Sequence, residues 1–180
     1  MTGATYINFD TALNKGKRLI KSGSNPNFGL YIICGINFGL RAGDLLSLTF
    51  DQLRSEEFTI IEQKTGKTRK LKVNNHVREA VESFKDDMTY QLGGKAFTSQ
   101  KGSVYSIQHI NRMIKGAFSG DRISSHSLRK SFGRRVWEND NHSDRALGFL
   151  NELFNHTTYA VTKRYLGIRQ EELDDVYMNL

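Results

Sequence analysis

A chain of 180 residues with 26 Lys+Arg against 19 Asp+Glu carries a formal net charge of +7. The length suits one domain with a full core, and the single cysteine, Cys34, excludes an internal disulfide and a cysteine-based zinc site. No basic stretch followed by an apolar run opens the chain, and the longest apolar segment, Phe28 to Leu40, is too short to span a bilayer. The expectation is a basic cytoplasmic domain with no membrane partner and an acidic partner, nucleic acid first. Cys34 reads as a small core residue.

In chain order, Asp10 is placed to cap a first helix that carries Leu13, Leu19 and Ile20 and stops at Ser22-Gly23-Ser24. Asn25-Pro26 opens a buried helix with Leu30, Ile33, Ile36 and Leu40 at helical spacing. Gly39 turns the chain into a short helix with Asp44, Leu45, Leu46 and Leu48. Phe58 to Val73 reads as a hairpin turning at Thr65-Gly66, its return strand alternating Leu71 and Val73 with Lys70 and Lys72. Asn74 or Asn75 caps a helix with Val77, Ala80, Val81 and Phe84, residues 91–104 form a loop around Phe97, and a helix from Ser106 carries Ile107, Ile110 and Ile114. Ser124 or Ser125 caps a helix with His126, Leu128, Arg129, Phe132, Val136 and Trp137. Ser143-Asp144 starts another through Leu147, Leu150, Leu153 and Phe154, and Val161 to Leu166 forms a short one. In the tail, 169–180, Leu173, Val176, Tyr177 and Leu180 form an amphipathic stripe. The fold class is mostly α with a small antiparallel β-sheet (α+β), in one domain over 1–180.

The charge is uneven. Gln63 to Lys72 holds five basic residues and no acid, and Arg122, Arg129, Lys130, Arg134 and Arg135 form a second cluster, whereas Glu171, Glu172, Asp174 and Asp175 make the tail acidic. One such run suits a solvated face; two suit a phosphate-binding surface. Individual candidates have ordinary readings too. Arg41 suits a partly buried partner of Asp44, Lys64 a hairpin-tip lysine, His156 a capping histidine, and Tyr165 a core tyrosine.

Their order says more. Gly39-Leu40-Arg41-Ala42-Gly43-Asp44-Leu45 is followed by Lys64-Thr65-Gly66-Lys67, then Ser125-His126-Ser127-Leu128-Arg129, then Leu153-Phe154-Asn155-His156, with Tyr165 nine residues past that histidine. This series resembles the catalytic domain of the tyrosine recombinases, the phage-integrase family, over roughly residues 5–170. The family pattern is Gly-Leu-Arg-x-Gly-Glu-Leu, a hairpin lysine, His-x-Leu-Arg, Leu-Gly-His and a tyrosine. This chain departs from it with Asp44 for Glu, which keeps the carboxylate, and with Asn155 for Gly, a residue that tolerates left-handed backbone. The family's usual N-terminal helical domain is absent from these residues. That fits an excised catalytic domain or a short member like the fimbrial-switch invertases.

The resemblance implies a site-specific recombinase that cleaves and rejoins double-stranded DNA through a covalent 3′-phosphotyrosyl link. It implies a tetramer on DNA and a monomer when free. The tail, including 171–180, would dock on a neighbouring protomer or fold back on its own domain. The chemistry suits the residues. Arg41 and Arg129 can each donate paired hydrogen bonds to the non-bridging oxygens of a phosphodiester transition state. His126 can take the proton of Tyr165, the nucleophile. Lys64, or Lys67 with a shifted register, protonates the leaving 5′-hydroxyl; His156 donates to a non-bridging oxygen; Asp44 orients Arg41 or His126. Lys67, Arg69, Lys70, Lys72, Arg134 and Arg135 are expected on DNA phosphates. The link conserves bond energy, so no cofactor, ATP or metal is needed. Two rival readings share part of this pattern: a non-catalytic DNA-binding regulator explains the charge alone, and a type IB topoisomerase shares the chemistry.

Overall fold

The computed structural model describes residues 3–168, 174 and 176–179. Among the described residues, ten bounded helices and one hairpin follow in chain order: α1 (Phe9–Lys21), α2 (Pro26–Phe38), α3 (Ala42–Leu46), α4 (Phe50–Arg54), β1 (Glu57–Ile61), β2 (Thr68–Lys72), α5 (Asn75–Glu82), α6 (Met88–Gln91), α7 (Ile107–Ala117), α8 (Ser125–Asn139), α9 (Asp144–Phe154) and α10 (Tyr159–Leu166). The expected mostly helical fold with a two-stranded antiparallel sheet is present. None of the described helices is long and apolar enough to cross a membrane.

Local sequence explains most boundaries. Asn25 caps α2 by accepting from the Phe28 N–H, with Pro26 at the first helical position, where its missing N–H costs nothing. Asn74, Ser106 and Ser143 cap α5, α7 and α9 in the same way. The cap of α1 is Asn8, not Asp10; Asn8 accepts from the Thr11 N–H, and Asp10 lies in the first turn, where its charge favours the helix dipole. Leu48 lies beyond α3, which stops at Leu46. The short helices α4 and α6 have too few turns to show a periodicity. The loop around buried Phe97 is pinned by the bridge pairs Thr49 with Lys95 and Thr98 with Val104.

Two apolar clusters form the interior. The larger surrounds α2, where Leu30, Ile32, Ile33, Cys34 and Ile36 are fully buried. The smaller joins α8, α9 and α10 through Trp137, Leu147, Leu150, Phe154 and Leu166. Helix α8 belongs to both: Leu128 packs in the first cluster and Trp137 in the second. Two glycines set its position. Gly39 ends α2 in a left-handed conformation (φ 58°), and a Cβ there would lie 2.3 Å from the Phe132 ring. Gly133 lets α8 meet Leu166 and Phe154, where a Cβ would come within 2.6 Å of Leu166.

Most of the C-terminal tail falls outside the described residues, and so does half of its expected stripe, Leu173 and Leu180. Of that stripe, Val176 and Tyr177 are described, and both are exposed.

Candidate active site

At the seam between the two clusters lies a pocket of about 490 Å³ lined by Arg41, Lys64, Thr65, Lys67, His126, Arg129, Phe154, Asn155, His156 and Tyr165. The six catalytic candidates, Arg41, Lys64, His126, Arg129, His156 and Tyr165, therefore share one pocket, although Arg41 and Tyr165 are far apart in sequence.

Each wall has a local cause. Arg41 follows the left-handed Gly39 and stands at the N-cap of α3. His126 and Arg129 are three apart on α8 and so share a face. Asn155, which stands where the family pattern has Gly, ends α9 in the left-handed region (φ 56°), and passes the chain to His156. Tyr165 sits near the end of α10.

Arg129 is buried; it donates to the Gly39 carbonyl (2.5 Å) and lies over the Phe154 ring at 4.5 Å. Burial and the neighbouring cation Arg41 pull its pKa down to about 10, partly offset by Tyr165, so it stays charged at neutral pH. The Tyr165 ring is held by Phe154 at 5.2 Å, His156 at 5.1 Å and the Lys130 ammonium at 4.9 Å. Its hydroxyl is buried and lies against Arg129 without a hydrogen bond of good geometry among the described residues. Burial raises the phenol's pKa, while Arg129 and Arg41 work in the opposite direction. His126 stands at the rim, where partial burial of its ring and then Arg129, Lys130, Arg41 and Lys64 lower its pKa.

The carboxylate on Arg41 is Glu62, which pairs with it at 2.7 Å, accepts from the Thr65 hydroxyl at 2.9 Å and faces Arg69 at 3.6 Å. Asp44 instead accepts the Gln63 backbone N–H at 2.8 Å and touches neither Arg41 nor His126 by hydrogen bond or ion pair among the described residues. It anchors the hairpin, a role different from the expected orientation of Arg41 or His126. Glu62 was not legible as a site residue because its partners come from two separate segments.

The expected phosphate contacts divide. Arg69 is half-buried, donates to the Phe38 carbonyl at 2.8 Å and faces Glu62. Strand alternation puts it on the inner face with Leu71, which the Leu71 and Val73 spacing already implied. Arg134 is buried, with its guanidinium over Tyr6 (4.7 Å) and Trp137 (5.5 Å) and 3.5 Å from Glu138. Neither is presented to a phosphate, because each guanidinium serves the interior. Arg135 lies over Phe9. Lys67, Lys70 and Lys72 are exposed on the hairpin; Lys70 pairs with Glu57, and Lys67 donates to Asn155 at 2.5 Å.

Glu62→Ala leaves the enclosed Arg69 and Arg41 without their shared carboxylate. The expected cost is about 3–5 kcal/mol in urea unfolding. The Glu62 pKa is lowered: burial opposes this, and Arg41, Thr65 and Arg69 outweigh it. Its stabilisation is therefore complete above the usual carboxylate pKa and is lost as pH falls below it through the lowered native value. In Glu62→Ala that share of the acid-side loss disappears, which unfolding curves taken across this acid range will reveal.

The model of the phage integrase family matches residues 30–172. A probable integrase/recombinase, YoeC, of Bacillus subtilis (strain 168) is 27% identical over 168 residues, covering 92% of this chain and 86% of that protein. Among solved structures, XerA recombinase aligns with a TM-score of 0.66 at 22% identity, over 98% of this chain and 65% of that one. XerH bound to a palindromic difH substrate aligns at 0.64 and 20% identity, over 96% of this chain and 52% of that one. A lambda integrase dimer bound to a COC′ core site aligns at 0.66 and 18% identity, over 92% and 49%. This chain thus spans from about half to two thirds of those structures, and the fold is common to them. With the family model matched across both halves of the pocket, the chain belongs to the phage integrase family, the tyrosine recombinases.

Proposed function

We propose that this chain cleaves and rejoins double-stranded DNA in site-specific recombination through a covalent phosphotyrosine. The observation that carries the reading is the convergence of Arg41, Lys64, His126, Arg129, His156 and Tyr165 on one pocket. The DNA partner is supported by the family and by the DNA-bound state of the XerH and lambda integrase structures.

The phenol oxygen of Tyr165 attacks the scissile phosphorus, its proton passes to His126, and a phosphorus–oxygen bond to tyrosine forms. The bond to the 5′ oxygen breaks, and that oxygen takes a proton from Lys64. The product is a 3′-phosphotyrosyl link and a free 5′-hydroxyl. Arg41 and Arg129 hold the non-bridging oxygens as negative charge develops, with paired donors preset by Glu62 and by Gly39. Lys64 suits the acid role better than Lys67, whose ammonium is engaged by Asn155; among the described residues Lys64 has no hydrogen bond or ion pair. A second 5′-hydroxyl reverses the step, and because the link keeps the bond energy, neither ATP nor metal is consumed. The exposed Lys67, Lys70 and Lys72 place the hairpin against phosphates, which sets affinity more than sequence.

The test is a nicked attachment-type DNA whose cleaved end diffuses away and traps the adduct. The expected result is a protein–DNA adduct formed in chelator, with peptide mapping locating the phosphotyrosine at Tyr165. DNA binding without any adduct sinks the reading and favours a regulator. The pH profile is a second check. A base must be neutral, and the His126 pKa lies below its usual 6.5. The acid limb of adduct formation is therefore expected below pH 6.5, and it disappears in His126→Ala.

A further inference from the structure

His156 reaches the pocket on a ring whose other edge is held by residues outside the catalytic set. Thr162 is fully buried on α10, three residues before Tyr165 and so on the same helical face. Its Oγ1 lies 3.0 Å from Nδ1 of His156 and 3.2 Å from Nδ2 of Asn151. The Asn151 backbone carbonyl also accepts the His156 N–H at 3.0 Å. Asn151 thus grips His156 twice, directly through the backbone and through Thr162 at the ring.

The chemistry of these groups gives the chain a direction. The Asn151 amide nitrogen donates only, so Oγ1 of Thr162 accepts from it and has one proton left to give. The neighbour within reach is Nδ1 of His156, which receives that proton's hydrogen bond when it is unprotonated. A neutral imidazole with a bare Nδ1 carries its proton on Nε2, at the opposite edge of a ring that lines the pocket. We propose that Thr162, oriented by Asn151, is a positioning residue that fixes His156 as the Nε2–H tautomer, making it a neutral hydrogen-bond donor to a phosphate oxygen in the pocket.

The tautomer matters because the ring is neutral. Burial and then Arg129 and Arg41 lower the His156 pKa. From α8, the turn before α3 and α10, the groups facing the ring are Arg129, Arg41 and Tyr165. An imidazolium would donate from both nitrogens with no help. A neutral ring with the proton on Nδ1 would aim a lone pair at an anionic oxygen and repel it. The Thr162 hydroxyl removes that alternative without adding a charge to a site that already concentrates cations.

The inference rests on the recombinase reading for the identity of the acceptor, and its test separates the two. Nitrogen-15 spectra of the histidine-labelled full chain, with His156 assigned by its loss in His156→Gln, report the tautomer without DNA. Adduct formation on the nicked DNA reports the chemistry. The expected result is Nε2–H in the wild-type protein and a mixture of tautomers in Thr162→Val, which keeps the shape and loses the hydroxyl. Cleavage in Thr162→Val is about tenfold slower, the effect of one weakened hydrogen bond, and Thr162→Ser restores tautomer and rate. A wild-type ring protonated on Nδ1, as when the Asn151 amide is turned over and the chain reversed, overturns the proposal whether or not the valine variant folds. An unchanged tautomer and rate in folded Thr162→Val also overturns it. The Nε2–H tautomer in a wild-type protein that forms no adduct upholds the hydrogen-bond chain and removes the recombinase reading alone.

Discussion

Tyr165→Phe is expected to abolish the covalent adduct on nicked DNA while the protein remains folded and DNA-bound. The loss is expected to be complete because, among the described residues, no other hydroxyl lines the pocket on this wall; Thr65 lies across it on the hairpin and is bonded to Glu62. Stability moves the other way. The phenol oxygen is buried without a good hydrogen bond, whereas the ring packs on Phe154, His156 and Lys130. Phenylalanine keeps the ring and removes an oxygen whose poorly satisfied burial costs about 1–3 kcal/mol. The thermal midpoint is expected to hold or rise. A variant that loses the adduct through unfolding would lower the midpoint, so melting and adduct assays on one preparation separate the causes. An adduct that survives in Tyr165→Phe refutes the nucleophile.

Arg129→Lys slows adduct formation by about a hundred- to a thousandfold, the usual cost of removing a preset donor to a developing oxyanion. Charge is conserved in this variant, so the loss measures geometry. The guanidinium spends one nitrogen on the Gly39 carbonyl and a face on Phe154, and still presents other N–H groups to the pocket. An ammonium is a single point on a flexible stem and cannot meet these partners together. Arg129 also stabilises the Tyr165 phenolate, so the lysine variant is expected to recover part of its rate at higher pH. Single-turnover cleavage across pH 7 to 9 tests this. A rate within a few-fold of wild type would mean that Arg129 serves the fold and not the transition state.

The helices with strong caps were legible because capping is local: Asn25, Asn74, Ser106 and Ser143 each accept from the N–H three residues on. Asn8 escaped notice because Asp10, two positions later, has an equally good capping side chain and only backbone geometry chooses between them. The short α4 and α6 escaped because four or five residues cannot show a helical period. At the site, motif order sufficed to group Arg41, Lys64, His126, Arg129, His156 and Tyr165. It said nothing of Glu62, Thr162 or the clamp of Lys130 and Phe154 on Tyr165, whose contacts are made only in the folded chain.

Arg69 and Arg134 mark the boundary between the two levels. Composition counted them with the phosphate-binding charge, but strand parity and helix face turned both inward. Residue types and spacing pointed to the candidate site residues, most helix starts, the hairpin and the family, since each is carried by short segments of chain. Tertiary structure decided which carboxylate holds Arg41, which cations stay exposed and how Tyr165 is held. Those outcomes depend on α8 packing between two cores, close to α2 at Gly39 and to α10 at Gly133, and such contacts arise only when distant segments meet.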